Sequence, residues 1–360
     1  MTIDKLSIDK KIGQRFIFGI NDRNIEPVID LIKKCHIGGI ILYKKNYQSY
    51  DEMLEVIKRC KEANKENSIP LFIAIDQEGG IVNRMPKDIH NLKNIYDVSR
   101  KNDDYVSEYA NIIGSMLYQS GINMNLAPVL DIYNGSKSKV LDKRCFYGDS
   151  EEIINDGIKY IKELDKNKVI AVVKHFPGHG ATIADSHFII PYIFDYKSVL
   201  NKHIKPFENL LKEVPVVMNG HLVIRKLTWL LPVSMTDSFI TEYLREKNSY
   251  NGIVMTDEIN MLKRHLLYRF NYLDKIIESD NDIILVKIKD MKEGFKIIEK
   301  YKKILENDCK YLDKLDIHVK RIIDVKDKYG ISDDINYDGI DIGAINKRID
   351  SLNNLVNERE

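Results

Sequence analysis

The chain has 360 residues, 44% of them apolar, which is enough for one large core or two ordinary ones. Its 55 basic and 54 acidic side chains leave a net charge of +1, so no overall field favours nucleic acid or an anionic membrane. Residues 1–14 are charged and hold no apolar segment of signal-peptide length, and no run approaches the ~20 apolar residues of a membrane span. Cys35, Cys60, Cys145 and Cys309 are scattered without CxxC spacing, which argues against a zinc site or disulfide scaffold. A soluble, cytoplasmic protein with ordinary thiols is expected.

Eight short apolar runs alternate with longer amphipathic stretches: 15–19, 39–43, 71–75, 124–127, 169–173, 215–218, 252–255 and 282–286. Alternation of strands and helices implies parallel pairing, because a parallel neighbour needs a crossover connection. Eight units predict a single (β/α)8 TIM-type barrel over 1–330, with an open doubly wound sheet as the competing α/β fold. Polar residues recur just after the runs, at Asp76, Asp131, Lys174, His175, His221 and Asp257, and only a barrel gathers so many strand ends at one mouth. Beyond Gly330, the acidic residues Asp333, Asp334, Asp338 and Asp341 read as a linker. Ile345, Ile349, Leu352 and Val356 then recur at helical spacing, so 331–360 is expected to end in a short helix packed on the barrel.

Asp76-Gln77-Glu78-Gly79-Gly80, continuing through Val82 to Arg84, puts paired glycines after a strand, where a ligand can approach the backbone. A purely structural Asp76–Arg84 ion pair is the plain alternative. Asp131, after Pro128-Val129-Leu130, reads as a buried hydrogen-bonding carboxylate, and His221 as a supporting residue. Lys174-His175-Phe176-Pro177-Gly178-His179-Gly180 begins where the fifth run ends. Pro177 and Gly178 remove the helix that a His175/His179 metal pair would need, and a backbone-bonded structural loop remains open for both. Asp185-Ser186-His187 places a carboxylate two residues from an imidazole, which can fix its tautomer and suit it to acid/base work. In the run from Gly252 to Met261, Asp257 supplies a further carboxylate, or else a helix-start cap.

The stretch from Lys174 to Gly180, with Asp185-Ser186-His187, resembles the signature loop of glycoside hydrolase family 3, in its β-N-acetylglucosaminidase branch, enzymes of peptidoglycan recycling. It differs at Ala181, where that family usually has an aspartate. The resemblance implies that Asp76 and Arg84 bind sugar hydroxyls, that Arg144, Lys174 and His175 contact the sugar, and that Asp257 is the nucleophile. Asp142 stands where a glycine is common and is near enough in sequence to pair with Arg144. The implied enzyme is a retaining β-N-acetylglucosaminidase for N-acetylglucosamine-containing saccharides or muropeptides, in which His187, oriented by Asp185, serves as acid and base. It needs no metal or organic cofactor. Rival readings are a phosphorylase, substrate-assisted hydrolysis through Asp257 and Glu258, a glucosidase or xylosidase, and a non-catalytic muropeptide sensor.

Overall fold

The computed structural model describes residues 3–133, 141–182, 191–264, 272–307, 310–335 and 339–357. Every apolar run forms a strand: β1 (Phe16–Ile20), β2 (Gly39–Leu42), β3 (Phe72–Ile75), β4 (Met124–Asn125), β5 (Ile170–Phe176), β6 (Val216–Asn219), β7 (Ile253–Thr256) and β8 (Ile284–Ile288). They hydrogen-bond in the order β8-β1-β2-β3-β4-β5-β6-β7, each pair parallel. A parallel bridge from Met255 to Ile283 joins the ends, with Thr256 N donating to Ile283 O at 3.0 Å, so the sheet is nearly closed into a barrel. Helices fill the connections. In the helix Ser150–Lys166, for example, Ile153, Gly157, Tyr160, Ile161 and Leu164 bury one face, and Asp149 caps the start by accepting from the amides of Glu151 and Glu152.

Side chains of a strand alternate between its two faces, and this separates two cores. Ile17, Ile41, Phe72, Ala74, Met124, Ile170, Val172, Val216, Met218, Ile253, Met255 and Leu285 pack together inside the barrel. Phe16, Phe18, Ile40, Leu42, Ile73 and Ile75 belong instead to the shell shared with the helices. Counting on by two from the last interior residue of several strands gives Tyr43, Asp76, Lys174, Asp257 and Lys287. Those side chains therefore crown the barrel at its C-terminal mouth, where no further layer of core covers them.

The opposite end is plugged by the helix Lys310–Lys328, whose Ile322 and Val325 join the interior core. Buried Lys326 donates to Gln14 Oε1 (2.9 Å), Gly38 O (2.8 Å) and Pro70 O (2.6 Å), tying this helix to the starts of the barrel strands. Within the acidic stretch expected to be a linker, Asp333 is tied to the barrel: it accepts from Leu71 N at 3.1 Å and from Asn64 Nδ2 at 2.6 Å. In the last helix, Ile342–Asn357, Ile345, Ile349, Leu352 and Val356 are the buried residues. Arg348 of that helix pairs with Glu108 at 2.8 Å. Among the described residues no helix is long and apolar enough to cross a membrane.

Burial pulls the Lys326 ammonium down to about 7, with Asp333 only partly opposing it. The unfolded chain then holds this proton more tightly than the folded one between about pH 7 and the ordinary lysine value of about 10.4. Stability from this group therefore rises with pH across that window, by up to about 1.4 kcal/mol per pH unit. Urea midpoints at pH 7, 8 and 9 should show wild type gaining on Lys326→Met; a constant difference would contradict the assignment.

Candidate active site

Lys174, the residue after Ile170 and Val172 on the inward face of β5, is almost wholly buried. Its Nζ bridges Asp76 Oδ1 at 2.8 Å and Glu78 Oε1 at 2.6 Å. Arg144 forks onto the same glutamate, Nε to Oε2 at 2.8 Å and Nη2 to Oε1 at 2.7 Å. Two cations thus face two carboxylates. Burial works against ionisation of Glu78, but Arg144 and Lys174 outweigh it and hold the carboxyl well below the usual range. The pairing of Arg144 with Asp142 that the sequence allowed gives way to this one: Asp142 is exposed, and Glu78 is the carboxylate that grips both arms of the guanidinium. Asp76 likewise pairs with Lys174 rather than Arg84, whose guanidinium has no ion pair among the described residues.

The loop after β5 is wound around Asp131, which is fully buried. Asp131 accepts from His175 Nδ1 (2.7 Å), His175 N (3.2 Å) and His179 N (2.6 Å). This carboxylate is the structural anchor foreseen for it, and it fixes the His175 tautomer so that Nε2 is left for the cavity. Burial pushes the Asp131 carboxyl up, but His175 and His179 outweigh it and hold it below the usual value. Gly178 sits at φ +125°, and a Cβ there would lie 2.8 Å from the Cβ of His203, so no side chain fits. His179 shares a hydrogen bond between its Nδ1 and Thr182 Oγ1 at 3.0 Å, while its buried Nε2 has no partner among the described residues. Burial pulls its pKa down to about 4, so at neutral pH that ring is uncharged.

Across the mouth, Asp257 follows β7, its amide donating to Asn219 O at 2.9 Å and its Oδ1 accepting from Glu258 N at 2.7 Å. Burial opposes its charge, but His175, His221, the Glu258 amide and Lys174 together hold it below the usual value, so it is an anion at neutral pH. The role of cap falls to its neighbour. Glu258 Oε1 accepts from Asn260 N at 2.9 Å and Lys287 N at 3.2 Å, and burial raises its pKa. His221 donates through Nε2 to Glu258 O at 3.2 Å and meets Ser234 Oγ through Nδ1 at 2.7 Å, bracing the turn that carries Asp257.

One cavity of about 310 Å³ joins these groups: Asp76, Glu78, Arg84, Arg144, Lys174, His175, His179 and Asp257 line it, with Leu126, Met218, Met261 and Leu285 as apolar wall. That volume is at the lower end for a small-molecule site. Asp185 and His187 lie outside the described residues, between Thr182 and Pro191. Sequence reasoning assigned no role to Glu78, Tyr43 or Lys287. The signal was present for all three, since each continues the two-residue alternation of an inward-facing strand position.

A nearly closed (β/α)8 barrel with its polar residues converging at the C-terminal mouth has the layout of barrel enzymes. This chain belongs to glycosyl hydrolase family 3, whose N terminal domain matches residues 7–325. It is 32% identical over 236 residues to a beta-hexosaminidase of Psychromonas ingrahamii, covering 62% of this chain and 67% of that one. With beta-hexosaminidase A of Pseudoalteromonas piscicida the identity is 29% over 283 residues, covering 72% of this chain but 47% of the relative, so the chain spans about half of that protein's length. Among solved structures, a family 3 β-N-acetylglucosaminidase from Paenibacillus sp. superposes with TM-score 0.85 at 26% identity, covering 96% of this chain and 68% of that one. A β-N-acetylhexosaminidase from Beutenbergia cavernae shares the fold with TM-score 0.81 at 21% identity, covering 90% of this chain and 99% of the other.

Because Glu78, Asp131 and Asp257 have depressed carboxyl pKa values in the folded protein, the stability they confer is complete above about pH 4.5 and is lost as pH falls below it. Glu78→Gln leaves Lys174 and Arg144 buried with one carboxylate fewer, a loss of about 3–5 kcal/mol at pH 7. Urea midpoints at pH 7 and pH 3.5 should show the variant far below wild type at the first and the gap narrowed at the second; equal gaps would contradict the charge assignment.

Proposed function

We propose that the protein is a retaining β-N-acetylglucosaminidase that removes terminal N-acetylglucosamine from small muropeptide-type fragments. The observation that carries this reading is the opposition of an ionised Asp257, just after β7, to the largely buried Asp76–Lys174–Glu78–Arg144 cluster on the far wall of one cavity. The β-hexosaminidase names of the family relatives support the sugar class.

Asp76 accepts from sugar hydroxyls, while Arg84, Arg144 and Lys174 donate to them and His175 offers the nitrogen that Asp131 does not use. This clamp directs the anomeric carbon toward Asp257. Cleavage passes through an oxocarbenium-like state, which an adjacent anion stabilises. Asp257 attacks the anomeric carbon and forms a glycosyl ester as His187 gives its proton to the leaving oxygen. Neutral His187 then takes a proton from water, the water oxygen bonds to the anomeric carbon, and the Asp257 carboxylate is released. Asp185 orients the imidazole throughout. The compartment we propose is the cytoplasm, where buried Cys35, Cys60 and Cys145 would remain thiols.

Acid assistance is worth about 10²–10⁴ in rate. His187→Ala should therefore lose that much on a natural disaccharide and much less on an aryl N-acetylglucosaminide with an activated leaving group. Asp257→Ala should lose both activities, and wild type should prefer the aryl N-acetylglucosaminide over the aryl glucoside. A His187→Ala enzyme equally impaired on every leaving group, or a wild type that prefers glucoside, would overturn the assignment.

A further inference from the structure

Tyr43 lines the active-site cavity, and the preceding mechanism gives it no part. On β2, Ile40 and Leu42 face the helices and Ile41 faces the barrel interior, so Tyr43 is the next inward position, at the mouth. Its ring lies against β1 where Gly19 stands: a Cβ on that glycine would be 2.7 Å from Tyr43 Cε2, so only glycine leaves the ring its place. Asn46 fixes the backbone there. Its Oδ1 accepts from Tyr43 N at 2.7 Å, and its Nδ2 donates to Ile20 O at 2.7 Å and Asp22 O at 2.6 Å, which ties the end of β2 to the end of β1. The side chain is half-buried, and among the described residues its phenol oxygen has no hydrogen-bond partner. Burial, with Glu258 and Asp76 adding to it, raises the phenol pKa well above the usual value, so the group keeps its proton and can both donate and accept. A phenylalanine would fill the same wall, whereas the hydroxyl, once a ligand displaces water, needs a polar partner on that ligand.

Handedness decides which group of a sugar meets that phenol, and the inference rests on the glycosidase reading above. Core side chains fill the barrel beneath the mouth, so the aglycone can leave only outward, and Asp257 attacks the opposite, inner face of the ring. With the right-handed crossovers of parallel βαβ units, the strands succeed one another counter-clockwise for a viewer looking into the mouth. The same viewer sees the ring from the face that bears the aglycone, and from that face the carbons of a β-linked D-hexosaminide run clockwise from C1. With C1 over Asp257, just after β7, a ring lying across the mouth sets C2 and C3 toward β6, β5 and β4, C4 toward β3, and C5 toward β2. The order agrees with the groups in place, since Lys174, His175 and Arg144 then meet the C2 and C3 substituents and Asp76 the C4 hydroxyl. We propose that Tyr43 is the residue that recognises the C6 hydroxyl of the terminal sugar, its phenol hydrogen-bonding to that oxygen from the end of β2. The site is thereby matched to a hexosaminide with a free hydroxyl on C6, and a 6-deoxy sugar leaves the phenol unpaired.

The test measures kcat/KM for wild type and Tyr43→Phe on 4-nitrophenyl N-acetyl-β-D-glucosaminide and on its 6-deoxy and 3-deoxy analogues. Tyr43→Phe removes the hydroxyl and keeps the ring that packs against β1. Wild type should favour the parent over the 6-deoxy sugar, and that ratio should fall about fivefold to tenfold in Tyr43→Phe, the effect of one hydrogen bond between neutral groups. The ratio of parent to 3-deoxy sugar should be the same in both proteins. A 6-deoxy ratio unchanged by the substitution would overturn the proposal, as would an equal loss on all three substrates. A collapse of the 3-deoxy ratio instead would show the ring turned the other way and would overturn it too. A wild type that hydrolyses none of the three would refute the glycosidase reading, and calorimetric binding of N-acetylglucosamine and its 6-deoxy analogue would then decide the contact. A preference for the 6-hydroxyl that Tyr43→Phe loses supports it; a preference shared by both proteins, or no binding of either sugar, overturns it.

Discussion

The Lys174 ammonium, shared between Asp76 and Glu78 at 2.8 and 2.6 Å, is the contact on which the mouth of this barrel depends. It joins the end of β3 to the end of β5 and, through Glu78, reaches Arg144 on the β4–β5 connection. Four charges taken out of water are costly, and each is tolerable only because the others compensate it. Such a cluster is fixed before any ligand arrives. Donors and acceptors already aimed into a cavity need little reorganisation on binding, which is what a site that must hold a flexible, hydroxyl-rich ring requires.

The barrel supplies the opposite wall by the same rule of alternation. Val172 leads to Lys174 and Met255 leads to Asp257, so the residues that pack the interior also aim those that crown it. Between the two walls, Asp131 holds His175 and His179 by three hydrogen bonds, and a loop that could bend in many ways is given one shape. His175, His221, the Glu258 amide and Lys174 together outweigh burial and favour the ionised form of Asp257, which is the state a nucleophile or an electrostatic stabiliser needs.

Much of this was legible in the sequence for physical reasons. Buried parallel strands read as short, largely apolar runs, so all eight were visible, and strand ends in a barrel have only one place to converge. The tail helix was equally plain, since Ile345, Ile349, Leu352 and Val356 can share a face only in a helix. Partner choice was not legible. Arg144 could have turned to Asp142, two residues away, but pairs with Glu78 across the mouth, and no local pattern carries that distance. Asp333 looked like part of a charged linker, yet its carboxylate satisfies the Leu71 and Asn64 donors at the base of the barrel. Lys287 was passed over because the eighth apolar run was ended at 286, whereas the strand continues to Ile288.

The central proposal is that Asp257 bonds covalently to the anomeric carbon. Incubation with an aryl 2-deoxy-2-fluoro glycoside, followed by mass spectrometry of the intact protein and of its peptides, tests this directly. The account predicts a gain of one glycosyl unit, carried by the peptide that contains Asp257 and located on that side chain. An enzyme that turns over N-acetylglucosaminides yet acquires no label, or acquires it on Glu258, would contradict it.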